Sequence, residues 1–189
     1  MAAVAACAPA AAQQSGVGYD GYAFVDAVSK SDGDKATQLL NSHPSGFVNS
    51  RGSDGQTGLI VAIGRTDETW TAFLINKGAD PNLAGKGGDT PLITAARVGF
   101  EEAAEWLVAA GARVDAANRM GETPLIVAVQ TRQPQIVQLL LEHGANPDKT
   151  DSAAGFSARD YATRDPRARD ILKMIQDKKP KTAPAAAAK

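Results

Sequence analysis

Along the middle of the chain the apolar residues come in short clusters of helical spacing, and the clusters recur. Leu59, Ile60 and Ala62 make one, Leu92, Ile93 and Ala95 the next, and Leu125, Ile126 and Ala128 a third, each 33 positions after the one before. A second set interleaves with the first at the same period: Phe73-Leu74-Ile75, Trp106-Leu107-Val108 and Leu139-Leu140-Leu141. Neither kind of cluster is stable alone, since isolated helices shorter than about 12 residues are marginal in water. The pattern therefore predicts pairs of short amphipathic helices, whose apolar faces join into one continuous core only when neighbouring pairs stack.

Start and stop signals sit at the edges of these clusters. Thr57, Thr90 and Thr123 stand where a hydroxyl can cap the amides of the first helix, and Pro91 and Pro124 follow at the first helical position. Gly78, Gly111 and Gly144 come after the second helix, where a left-handed residue ends it without a side-chain clash. Whole rows superpose without gaps: GQTGLIVA from Gly55, GDTPLITA from Gly88 and GETPLIVA from Gly121. Their closing segments KGADPN from Lys77, AGARVD from Ala110 and HGANPD from His143 keep the same phase.

These rows resemble the ankyrin repeat, whose hallmark Thr-Pro-Leu opens a first helix and whose Gly-Ala-Asp closes the second. The resemblance covers about Asp20 to Asp177. It implies an all-α repeat solenoid of about five stacked helix-turn-helix units with hairpin tips, the terminal two being degenerate caps. The expected division is an N-terminal cap repeat at 20–48, internal repeats at 49–81, 82–114 and 115–147, and a C-terminal cap repeat at 148–177. Ala23 to Val28 and Ala36 to Leu40 supply the first cap's helices. Gly155 to Ala162 carries a substituted hallmark one residue late, and Ile171 to Ile175 forms the last outer helix. Arg164, Asp165, Arg167, Arg169 and Asp170 are expected to give that last unit its polar outer face.

Three departures from the family pattern matter. The position after Leu, often His in the family, is Ile60, Ile93 and Ile126. The Gly usual between the two helices survives only as Gly99, so the turns at Thr66 and Arg132 are expected to be strained. Gly58 in place of Pro is expected to make its helix start less rigid.

Charge and composition narrow the function. Of 189 residues, 20 are Lys or Arg and 21 Asp or Glu, a net charge of -1, so no clustered basic surface points to nucleic acid. Past the first dozen residues no apolar run approaches the roughly 20 residues that span a bilayer. Residues 1–15 are Ala-rich, with small residues spaced for signal peptidase at Ala8-Pro9-Ala10 or Ala10-Ala11-Ala12. They look like the back half of a secretory signal. Val4-Ala5-Ala6-Cys7 resembles a bacterial lipoprotein box that would put a lipid anchor on Cys7. The expectation is a bacterial, periplasmic or secreted protein, with the cytoplasm as the alternative if the stretch is only low-complexity sequence. Residues 178–189 are expected to be a disordered tail.

No constellation for catalysis, cofactor or metal emerges. His43 and His143 lack ligand-type neighbours at metal spacing, and no Gly-x-Ser-x-Gly elbow occurs. Gly85-Lys86-Gly87-Gly88 reads as a hairpin tip rather than a phosphate loop. Asp32, Asp34 and Asp54 read as turn residues, and Glu101, Glu102 and Glu105 as the start of a second helix.

Function is therefore expected in binding. The resemblance implies a concave surface of hairpin tips and exposed first-helix ends where partners dock. Its candidate contact positions here are Arg51, Asp54, Gln56, Arg65, Lys86, Asp89, Arg97, Arg119, Met120, Glu122 and Gln130, with Ser53, Gly64, Gly87, Val98 and Thr131 beside them. These vary from row to row while the framework repeats. The expected role is a non-enzymatic scaffold for a protein partner, acting as a monomer. The alternative is an accessory or immunity-like protein that stabilises or inhibits one cognate envelope enzyme or toxin.

Overall fold

The computed structural model describes residues 17–43 and 46–177. The expected signal, the lipid anchor at Cys7 and the tail at 178–189 lie outside the described residues.

Among the described residues there are ten α-helices arranged as five hairpins. The first pair is α1 (Val17–Ser29) and α2 (Gly33–Ser42), followed by a 3-10 turn at Phe47–Asn49. Then come α3 (Gly58–Gly64) with α4 (Glu68–Asn76), α5 (Pro91–Val98) with α6 (Glu101–Ala109), α7 (Pro124–Gln130) with α8 (Pro134–Glu142), and α9 (Ala158–Arg164) with α10 (Arg169–Asp177). Inner helices α1, α3, α5, α7 and α9 pack each on the next, and each also packs on its own outer helix. Outer helices α4, α6, α8 and α10 form the second layer. One apolar core runs through the stack, with Phe24, Leu59, Leu92, Leu125 and Ala158 all buried along the inner layer.

Local chemistry begins each inner helix as the sequence signals. Thr57, Thr90 and Thr123 accept the amides of Ile60, Ile93 and Ile126 at 3.3, 3.3 and 3.2 Å. Ser157 does the same for Asp160, whose carboxylate in turn accepts the Ser157 amide, a closed capping box. The three Ile side chains in the position the family often gives to His are buried, so that layer is held by packing.

Gly58 has a reason beyond flexibility. A Cβ there would lie 3.3 Å from the Phe24 ring, so the small residue makes room for a fully buried aromatic side chain of the N-terminal cap. Thr57 still caps that helix start, and its amides are fixed as in the Pro-bearing repeats.

The turns between paired helices are strained where expected. Thr66 and Arg132 have φ of 54 and 55°, in the same left-handed region as Gly99 at 76°. The fourth hairpin tip is longer by one residue: the Asp151 amide reaches the Phe156 carbonyl, whereas Asn118 closes onto Glu122. That insertion is the late register of the last unit.

A polar ladder joins the repeats at their closing segments. Asn49, Asn82 and Asp115 are 33 residues apart, and their side-chain oxygens accept the amides of Asp80, Arg113 and Asn146 at 2.8, 2.8 and 3.0 Å. Each closing segment thus satisfies a backbone donor of the next.

Candidate binding surface

Four hairpin tips stand at one edge of the inner-helix layer. Each closes by backbone hydrogen bonds, as from Gly52 to Gln56, Gly85 to Asp89 and Asn118 to Glu122. The tips also touch each other: the Ser152 amide donates to the Met120 carbonyl at 2.8 Å. Residues at the turn of each tip and at the end of each inner helix are largely exposed, including Ser53, Asp54, Arg65, Lys86, Arg97, Val98, Arg119, Met120 and Gln130.

Side chains expected to face a partner divide into two groups. Arg51 donates to its own tip at the Gly55 carbonyl, 2.7 Å, and Arg65 reaches Ser31 of the first repeat at 3.1 Å. Asp54 accepts the Gln56 amide at 2.9 Å. Lys86, Arg119 and Met120 stand exposed on their tips.

Asp89, Arg97 and Glu122, by contrast, are tied together. Arg97 donates to Asp89 at 2.9 Å and lies 3.7 Å from Glu122, while the Asn118 amide nitrogen donates to Asp89 and Glu122 at 2.7 and 2.8 Å. The Asn118 oxygen accepts the amides of Met120 and Glu122, fixing the tip from inside. Glu122 is only 9% exposed, so it is not the freed surface residue the sequence implies; its carboxylate is spent on Asn118 of its own tip and on Arg97 at the end of the preceding inner helix. Gln56 is half-buried, and its side-chain oxygen is buried without a partner over Gly85, where the next repeat has no counterpart of Asn118.

Two further residues complete this face at its C-terminal end. Asp151, 5% exposed, accepts the amides of Ala154 and Gly155 and the Tyr161 hydroxyl, the last at 2.6 Å. Burial works against its charged form, but the Tyr161 hydroxyl and the tip amides outweigh that and hold its carboxyl below the usual range. The same bond raises the Tyr161 phenol, which also lies against Gln130. Sequence reading missed Asn118 and Asp151. The available signal was an Asx residue at the first position of each tip, where Gly52 and Gly85 stand in the earlier repeats.

A family model of ankyrin repeats in three copies matches residues 24–118, 71–151 and 110–183. The chain belongs to the ankyrin-repeat family. Ankyrin repeats generally act as protein–protein interaction modules, and the family is typically non-enzymatic. No curated protein matches the chain. Among the described residues of this ankyrin-repeat chain, His, Cys, Asp and Glu nowhere gather in a group of three or more that could hold a metal ion. None of their helices is long and apolar enough to cross a membrane.

The histidines serve the helices. His43 and His143 each bond the carbonyl four residues back, Leu39 at 2.8 Å and Leu139 at 2.9 Å, and His43 also stacks on Phe47 with ring centroids 4.2 Å apart. Asp32 caps α2 through the Lys35 amide.

Proposed function

We propose that this chain is a non-enzymatic scaffold that binds a partner protein through the tips and inner-helix ends of its internal repeats. One observation carries the reading: the framework repeats at a fixed period with buried Leu and Ile, while the exposed positions Lys86, Val98, Arg119 and Met120 differ from their counterparts in the other rows. Packing constrains the first set and leaves the second open to be shaped by a partner.

Export to a bacterial envelope is part of the proposal and rests on the sequence of residues 1–15 alone. Mass spectrometry of the mature N-terminus from fractionated cells tests it. A terminus at Ala11 or Gln13, or a lipidated Cys7, supports export; an intact Met1 in the cytoplasmic fraction sinks it.

Crosslinking from a photoreactive residue at position 120 in living cells, compared with one at exposed Gln138 on an outer helix, tests the binding face. Adducts specific to position 120 support it. Equal labelling from both positions would overturn it.

A further inference from the structure

We propose that this face selects an acidic protein segment carrying an apolar side chain among its carboxylates. The inference rests on the reading above, that the tips and inner-helix ends are where a partner docks.

Its basis is how tertiary contacts redistribute charge. By sequence the face is mixed, with Arg51, Arg65, Lys86, Arg97 and Arg119 set against Asp54, Asp89 and Glu122. In the folded chain two of the three carboxylates are drawn inward. Side-chain exposure is 31% for Asp89 and 12% for Glu122, and both are held by Arg97 and Asn118. A carboxylate with a guanidinium beside it and an amide donating to it has little field left for a visitor.

The outward cations have spent nothing comparable. Arg51 and Arg65 bond only uncharged oxygens, and among the described residues neither they nor Lys86 nor Arg119 enters an ion pair. Outside that cluster four cations face solvent against Asp54, and although the cluster keeps one negative charge, with two carboxylates on one guanidinium, the face as a whole is net positive. A visitor's carboxylates can pair with them without displacing an internal partner.

The same face also carries exposed apolar side chains. Val98 is 37% and Met120 53% exposed, two of the four large hydrophobic side chains that are exposed among the described residues. Val98 ends α5, and Met120 sits on the tip of the repeat stacked on it. Methionine adapts its shape to what it meets, which suits it to receive a side chain. A nucleic acid would call for more cations along a line, with no exposed Met and Val among them. An acidic segment with a Leu, Ile, Phe or Met in it matches both features.

Display of random peptides on the immobilised full chain, followed by calorimetric titration of the recovered peptides, tests the proposal. Titrations use the wild-type protein and two double variants on exposed positions, K86E/R119E and V98S/M120S, each checked for an unchanged melting temperature. Recovered peptides are expected to be rich in Asp and Glu around an apolar residue. Their affinity should drop by roughly tenfold on each variant and fall with added salt. Peptides that lose affinity on V98S/M120S yet show no acidic enrichment overturn this inference and leave the docking face standing. Peptides that bind both variants as tightly as wild type overturn the docking face itself. Recovery of no peptide counts against the inference, as does tighter binding of a single-stranded oligonucleotide that K86E/R119E abolishes and V98S/M120S does not.

Discussion

Thr71 is fully buried in α4, and its hydroxyl has no hydrogen-bond partner, while the equivalent residues one and two repeats on are Ala104 and Val137. A buried hydroxyl without a partner costs about 1–3 kcal/mol of desolvation. Thr71→Val keeps the shape and removes that cost, so the urea midpoint should rise by an amount equivalent to about 1 kcal/mol. A fall would mean the hydroxyl is satisfied in solution. Thr66 carries a different cost. Its φ of 54° strains an L-residue by about 1–2 kcal/mol, partly offset by the greater unfolded freedom of glycine. Thr66→Gly should therefore stabilise by about 0.5–1 kcal/mol in the same measurement. At Arg132 the same exchange would also remove the ion pair with Asp165 at 3.1 Å, so Thr66 is the cleaner site.

At the scale of the element, the helices are too short to persist without their neighbours, and the bonds that tie one repeat to the next matter more than any single cap. Asn82 is central to that bracing: its oxygen accepts the Arg113 amide at 2.8 Å and its nitrogen donates to the Gly111 carbonyl at 3.2 Å. Asn82→Ala leaves both backbone groups to water. The expected loss is about 1–2 kcal/mol. Because the contact joins the closing segment at 77–82 to the one at 110–115, hydrogen exchange should accelerate on both sides of residue 82 rather than in one helix. A change confined to the 80–85 turn would show the ladder to be decoration.

For the whole molecule, the two ends differ in what holds them. The N-terminal cap is closed by packing, with Phe24 and Phe47 in contact at 5.6 Å between ring centroids. In the C-terminal cap repeat polar networks contribute, and the three carboxyls held below their usual range, Asp151, Asp160 and Asp165, all belong to it. Burial opposes the charge on Asp151 and is outweighed by the Tyr161 hydroxyl and tip amides. Asp160 is lowered by the Ser157 hydroxyl and amide, and Asp165 by the Arg167 amide. A carboxyl whose folded pKa is depressed adds stability above its unfolded value of about 3.9, and that stability is lost as pH falls through the folded value. Acid should therefore loosen this end first, below about pH 4. Tyr161→Phe should destabilise by about 1.5–3 kcal/mol at neutral pH, and the difference should shrink toward pH 2 as Asp151 is protonated. Thermal melts of both proteins across that range give the answer; a difference independent of pH would assign Tyr161 a packing role only.

Much of this molecule is local in origin, and that part was legible in the sequence. A Thr hydroxyl caps the amide three residues on, a left-handed Gly ends a helix, and a period of 33 tells where the next unit begins, because each of these acts within a few residues of chain. Residues such as Leu92 and Leu125 announced the core by spacing alone. The character of the binding face depended on contacts between repeats. Asn118 reaches back 29 residues to Asp89, and with Arg97 it turns two apparent surface carboxylates into internal struts. Gly58 likewise takes its meaning from Phe24 across the cap interface. Periodicity identifies which positions are equivalent, but only the stacked structure determines which of their charges are neutralised by a neighbour and which are left to meet a partner.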